Sequence, residues 1–370
     1  MAKHLRKTAL LAAALLCVAL SAHAASAKGE EDWKVLDSAE YSFEQREFGE
    51  ALRLVDKARA IHVAKVESQR ATLAKAVIPA EVKKAGDDLI AVYKVLTKRS
   101  DFAAKAVLDD IYLTKDPYFF GNSLSRLMQW LSERVEYPEA DILNGKVYEA
   151  EGEYAVAVSF FKKAWEKRAY LDIPDDRFTI AYHMADIAEE QGDFGAQEEY
   201  LLLVLTGDEV YGTPGNESPT LLAMVRSVKT DPTLVKFFML YRHDKLVALK
   251  AYKDLARHFE ESGRIDRAYP AAVLAACVSM TALTKSLQAV DFQYEYTNFE
   301  DLIKRSGQQR RIVQWAKDND IWDPFLILSS VMWEAGDRDQ ATVLWNYLAS
   351  ACPDAVIARK ASGELTAHKR

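Results

Sequence analysis

Gly145-Lys-Val-Tyr148-Glu-Ala-Glu-Gly152-Glu-Tyr154-Ala-Val-Ala157-Val-Ser-Phe-Phe161-Lys-Lys-Ala164 is the stretch on which the reading of the fold turns. It spans two amphipathic segments with a glycine between them. The small residues Gly145 and Ala157 fit a close crossing of two antiparallel helices, and Tyr148, Tyr154 and Phe161 are spaced to fill the volume around it. Gly152 supplies the backbone freedom that a tight turn between helices demands. Such a pair cannot bury its apolar face alone and must stack on neighbours. Helical periodicity rich in Ala, Leu, Glu and Lys continues almost from end to end, without sustained period-two alternation. The expected class is all-α.

The spacing of that stretch, G-x-x-Y-x-x-x-G-x-Y-x-x-A-x-x-x-F-x-x-A, resembles a tetratricopeptide repeat. Graded copies follow. Ser329 to Pro353 carries Gly336, Ala341, Trp345 and Leu348, and Ala256 to Ala275 carries Phe259, Gly263, Ile265, Ala268 and Ala272. Ala185 to Val204 keeps Ala188, Gly192 and Phe194 but has Gln197 where a small crossing residue belongs. Ala39 to Ala58 keeps Phe48, Ala51 and Val55 but has Arg46 in place of the turn glycine. Gly152, Gly192, Gly263 and Gly336 are separated by 40, 71 and 73 residues. The two long spacings are close to twice one repeat of about 34 residues, which places a diverged helix pair in each gap. Leu221 to Tyr241 and Leu283 to Trp315 are the candidates. Cap-then-proline pairs mark helix starts at Asp116-Pro117, Ser218-Pro219, Asp231-Pro232 and Asp323-Pro324.

The resemblance implies a superhelical solenoid of antiparallel helix pairs with irregular non-repeat helices. Residues 28–206 would form an N-terminal solenoid and residues 219–370 a C-terminal one, ended by a cap helix from Asp354 to Leu365. The turn-rich Gly207 to Pro219 reads as their boundary, a functional loop or an ordinary surface loop. In this family the first helix of each pair lines a concave face. Carried over position by position, the resemblance implies partner-binding residues Lys146, Tyr182, Asp186, Lys253, Arg257, Trp322, Phe325 and Trp333. Lys253 and Arg257, four apart on one helix face, suit an acidic segment or a carboxylate, or else pair with neighbouring glutamates. Tyr118-Phe119-Phe120 with Met128 and Trp130 reads either as an exposed anchor or as a plug packing non-repeat helices.

The N-terminus reads as a cleavable signal peptide over residues 1–24. Lys3, Arg6 and Lys7 precede the apolar run Thr8 to Leu20, and Ala22-His23-Ala24 supplies the small residues a signal peptidase requires. Cys17 lies inside the apolar run behind Leu16, a poor setting for lipidation. The expected address is the bacterial periplasm, with no transmembrane helix after cleavage. Removing 24 residues with those three cations from a 370-residue chain of net charge −7 leaves 346 residues at −10. An acidic chain argues against nucleic acid as a partner. Cys277 and Cys352 are expected to be free thiols.

No catalytic motif is present: no phosphate loop, no G-x-S-x-G, no H-E-x-x-H. The histidines are scattered, and His258 with Glu261 makes too small a set for a metal site. No cofactor and no metal is expected. The leading expectation is a non-enzymatic scaffold or adaptor that binds a protein or peptide in the cell envelope, with homo-oligomerisation open. The alternatives are a ligand-binding or transporter-associated subunit with a pocket between helices, and a self-assembling envelope protein.

Overall fold

The computed structural model of the chain describes residues 30–213, 216–231 and 233–368. The expected signal segment lies outside them. The described chain is mostly helical, as the periodicity requires, with a single two-stranded hairpin. It divides into two compact units between His183 and Met184.

The first unit begins with α1 (Asp32–Glu44) and the long α2 (Phe48–Ala76). Then come α3 (Ala80–Lys83), α4 (Leu89–Lys98) and α5 (Phe102–Tyr112), a 3-10 turn (Pro117–Phe120), α6 (Leu124–Glu133), α7 (Pro138–Ala150) and α8 (Tyr154–Glu166). The first half of α2 pairs with α1 and packs on α7. Val35, Ala39, Val55, Ala58, Tyr137, Ala140 and Leu143 form the core there. The overhanging second half of α2 carries Val66, Leu73 and Ala76, and α3 to α6 gather on it around Leu89, Leu96, Leu108, Phe120, Leu127 and Trp130. Phe120 and Trp130 therefore act as a plug in this second core, whereas Tyr118 and Phe119 stay exposed. Loop 87–88 is stitched to α6 by hydrogen bonds from Ser123 and Ser125 to Asp87.

The sequence stretch that opened the analysis forms α7, a turn and α8. At Gly145 the helices approach so closely that a Cβ would lie 2.6 Å from the Phe161 ring. Ala157 and Phe161 are fully buried at this crossing, so the small residue and the aromatic ring occupy one shared volume.

Helix α9 (Asp176–Glu190) spans the division between the units. The second unit continues with α10 (Phe194–Val204), the hairpin β1 (Gly212–Thr213) and β2 (Asn216–Glu217), α11 (Pro219–Thr230), α12 (Val235–Leu240), α13 (Leu249–Glu261) and α14 (Ile265–Val290). It closes with α15 (Phe299–Gly307), α16 (Arg310–Asp318), α17 (Asp323–Glu334), α18 (Arg338–Ala351) and α19 (Ala355–Ala367). The helix α14 is long and apolar enough to cross a membrane, a feature the sequence reading overlooked. Most of it is buried: α11, α13, α15 and α17 all pack against it. It is the central core helix of the unit, and that burial accounts for its apolarity. The gap expected to hold a diverged pair at Leu221 to Tyr241 contains α11 and α12. In the other gap Leu283 still belongs to α14, and the pair is α15 and α16.

The turn-rich Gly207 to Pro219 lies inside the second unit rather than between the two units. Its anchor is polar. Asp208 is buried, accepts hydrogen bonds from the Tyr252 hydroxyl and from Val210 N–H, and lies 3.2 Å from His243 Nε2. The His243 and Tyr252 hydrogen bonds hold the Asp208 carboxyl well below the usual carboxylate range despite its burial. Tyr211 beside it is also buried. The segment is thus tied into its unit by a satisfied polar network, which a linker would lack.

One turn recurs at seven junctions between α-helices among the described residues. At α1–α2 the N–H of Glu47 donates to Ser42 O at 2.8 Å, and the N–H of Arg46 donates to Phe43 O at 2.9 Å. The same six-to-one bond joins Asp101 to Leu96, Glu153 to Tyr148, Asp193 to Ala188, Arg264 to Phe259, Ile321 to Ala316 and Asp337 to Met332. This is the Schellman closure, which needs a left-handed residue just past the helix. Gly152, Gly192, Gly263 and Gly336 take that place with φ of 79°, 69°, 72° and 88°. Arg46, Ser100 and Asp320 take it at the other three junctions, with φ of 62°, 57° and 51°.

Candidate binding clefts

Helices α1 and α7 and the start of α9 enclose a cleft of about 400 Å³ in the first unit. Its walls mix carboxylates with aromatic and aliphatic surface: Asp37, Glu40, Glu139, Asp172 and Asp176 stand beside Trp33, Tyr137, Ile142, Leu143 and Ile173. The one cation in the wall is Lys146, paired with Glu40 at 3.1 Å. Asp172 pairs with Arg134 at 3.1 Å, and its N–H donates to Glu139 Oε1 at 2.7 Å. Burial pushes the Glu139 carboxyl up to about 7, with the Asp172 charge adding to the effect. Burial likewise raises Asp176.

A buried polar stack adjoins this cleft through Tyr137. His62, buried on α2, lies 2.7 Å through Nδ1 from Asp32 and 2.8 Å through Nε2 from the Arg134 carbonyl. Tyr137 stacks on the His62 ring at 4.1 Å with the planes 8° apart. The His62 hydrogen bond and the Lys65 charge hold Asp32 below its ordinary value against the opposing effect of burial. Sequence reasoning passed over this group, because His62 and Asp32 lie 30 residues apart and no motif joins them. The only available signal was a histidine among the apolar positions of a helix.

In the second unit a cleft of about 370 Å³ is lined by Glu189, Leu246, Leu249, Lys250, Lys253, Asp254, Arg257, Asp318 and Asp320. Here the structure brings together three of the residues singled out from the sequence: Asp186, Lys253 and Arg257. Lys250 bridges Asp186 at 2.6 Å and Asp254 at 3.0 Å. Lys253 is buried and lies 3.3 Å from Asp320 and 3.4 Å from Asp323. Arg257 pairs with Asp323 and approaches Asp254 at 3.8 Å. Lys253 and Arg257 therefore pair with aspartates rather than glutamates, and every cation of the cleft already has a carboxylate partner. Asp323 was expected to cap α17, but it sits within the helix and makes no cap bond; its carboxylate serves the cleft instead.

The remaining candidates separate. Lys146 lies in the first cleft. Tyr182 is half-buried on α9. Trp322 is 2 % exposed and Phe325 fully buried, so neither lines a groove. The physical reason is the inserted helices: Phe299 of α15 and Phe238 of α12 lie 4.7 and 6.1 Å from the Phe325 ring and cover the face that the resemblance left open. Trp333 is half-buried, 5.5 Å from Trp345 and 4.1 Å from His368. His258 and Glu261 do not form a pair; His258 instead lies 3.3 Å from Glu198, which also binds Arg264 and Arg267. Among the described residues no group of three or more His, Cys, Asp and Glu could hold a metal ion. Cys277 and Cys352 are free, and burial pushes both thiols up to about 12.

No known family model matches the sequence. A relative does: over 339 residues the chain is 38% identical to an uncharacterized protein of Treponema pallidum (strain Nichols), covering 92% of this chain and 91% of that protein. At that identity and coverage, the chain belongs to the same family as the Treponema pallidum protein.

Proposed function

We propose that the protein is a non-enzymatic, tetratricopeptide-like scaffold of the bacterial cell envelope that binds a protein or peptide partner in its helix-lined clefts. The observation that carries this reading is the recurrence of one helix–turn–helix geometry. Four of the seven Schellman junctions hold a glycine at the motif position, and the small or aliphatic crossing residues Ala51, Ala157, Ala268 and Ala341 that follow such turns are all fully buried. In the one repeat with a large crossing residue, Gln197 is buried and donates to Glu189 at 3.1 Å, so the departure is chemically satisfied. First helices α7, α9, α13 and α17 contribute to the clefts or to their ion pairs, where the repeat geometry would present a partner surface. The envelope address rests on the sequence alone, through the charged, apolar and small-residue order of residues 1–24.

Two measurements test the reading. N-terminal sequencing of the protein recovered from cells should begin at or within a few residues of Ala25; an intact Met1 would remove the envelope address. A crosslinking pull-down from native envelopes should recover a discrete partner that the Lys253→Ala/Arg257→Ala variant or a first-cleft variant loses. Recovery of the bait alone, or of the same proteins by every variant, would contradict the scaffold reading.

A further inference from the structure

The two clefts differ in one respect that bears on the partner. In the second, each cation meets a carboxylate. In the first, Asp37, Glu139 and Asp176 have no ion-pair partner among the described residues, and Lys146 is already held by Glu40. The floor carries a second, independent feature. Tyr137 is 96 % buried, at 4 % relative exposure, and lines the cleft, yet its hydroxyl has no hydrogen-bond partner among the described residues. The His62 stack fixes its ring, so the hydroxyl cannot swing away to find one. The hydroxyl is therefore open to a donor or acceptor brought by a ligand.

We propose that this cleft holds a lysine or arginine side chain presented by an extended basic segment of the partner, its charge met by Asp176 and Asp37 and its donors by the Glu139 carboxyl oxygens and the Tyr137 hydroxyl. The aliphatic stem of such a residue fits the remaining wall, where Trp33, Ile142, Leu143 and Ile173 offer apolar surface beside the carboxylates. Trp33 already carries the Lys34 ammonium 5.2 Å above its ring, so an exposed aromatic face at the rim tolerates a cation. The volume, about 400 Å³, falls within the range of clefts that hold small ligands or anchor side chains. Carboxylates outnumber Lys146, the one cation of this wall, and Glu40 already holds it, which makes charge the discriminating property. The inference deepens the scaffold reading and rests on it.

The test uses the purified protein and fluorescent ten-residue peptides of alternating alanine with lysine, arginine or glutamate. Binding is followed by anisotropy at low salt. The lysine and arginine peptides should bind, and the glutamate peptide should not. The Glu139→Gln/Asp176→Asn variant should weaken basic-peptide binding at least ten-fold, and Tyr137→Phe by a smaller factor. The control Asp56→Asn/Glu67→Gln removes two exposed charges of α2 outside the cleft and should leave affinity within two-fold. Thermal melts of each variant exclude misfolding as the cause of a loss. Equal binding of the glutamate peptide, equal loss in cleft and control variants, or no binding of basic peptides would overturn the proposal. If a partner is still captured from envelopes while the basic peptides ignore the cleft, this inference fails and the scaffold reading stands. If neither is seen, both fail.

Discussion

At Gly145 a hydrogen atom stands where any other residue would place a carbon against Phe161. A Cβ there would meet the ring at 2.6 Å, with three ring atoms inside 2.8 Å. The ring is fully buried and cannot yield without moving α8. Gly145→Ala should therefore destabilise the first unit by about 1–3 kcal/mol, the usual cost of overpacking, even though alanine is the better helix former. Pairing it with Phe161→Leu should recover part of the loss, which thermal melts of the single and double variants will read as a positive coupling. This site was legible from spacing alone, because a small residue facing an aromatic one has a single mechanical meaning. Glu139 was not legible: its neighbours Asp172 and His62 lie 33 and 77 residues away in the chain, and only folding buries it. Its carboxyl is raised from 4.5 to about 7. The folded state thus holds a proton that the unfolded chain releases, and its contribution to stability is lost as pH climbs through that interval. Relative to the natural protein, Glu139→Gln should gain stability between pH 5 and pH 8, by on the order of 2 kcal/mol. Urea midpoints at the two pH values measure this, and parallel curves for both proteins would show that Glu139 is not the buried acid described.

At the scale of elements the repeated Schellman turn organises the chain, and its visibility in the sequence depends on which residue fills the left-handed position. Where glycine fills it, at positions 152, 192, 263 and 336, the junction can be read directly. Arg46 was recognisable only because flanking positions kept the pattern. Ser100 and Asp320 gave no signal, since serine and aspartate occur in loops of every kind. Those hidden turns mark where the motif appeared to be lost: α4–α5 and α16–α17. The same insertions explain why Trp322 and Phe325 were misplaced, for α12 and α15 bring Phe238 and Phe299 onto that face. The turn itself is open to test. A side chain in left-handed backbone costs roughly 1–2 kcal/mol, part of which glycine gives back as unfolded-state entropy. Arg46→Gly should raise the melting midpoint by about 2 °C, while Gly336→Ala, at φ 88°, should lower it by at least as much. Opposite signs at equivalent positions of the same turn are the expected signature, and a loss in both would deny that the two junctions are equivalent.

For the whole molecule, helical class and the presence of diverged helices in the long gaps followed from periodicity and glycine spacing. The division into units did not. Residues 207–219 look like a linker in composition, yet Asp208, Tyr211, His243 and Tyr252 bind that segment into the second unit. Polarity announces a loop, but only three-dimensional pairing tells whether the loop is held. The central claim is that the clefts, and not the outer helical surface, meet a partner. Site-specific photo-crosslinking in living cells tests it most directly, with the photoreactive residue placed in turn at Trp33 and Leu246, which line the two clefts, and at the exposed Val156 on α8. The account predicts a discrete adduct of higher mass from a cleft position and none from position 156. Adducts of equal yield from all three positions, or none from either cleft, would contradict it.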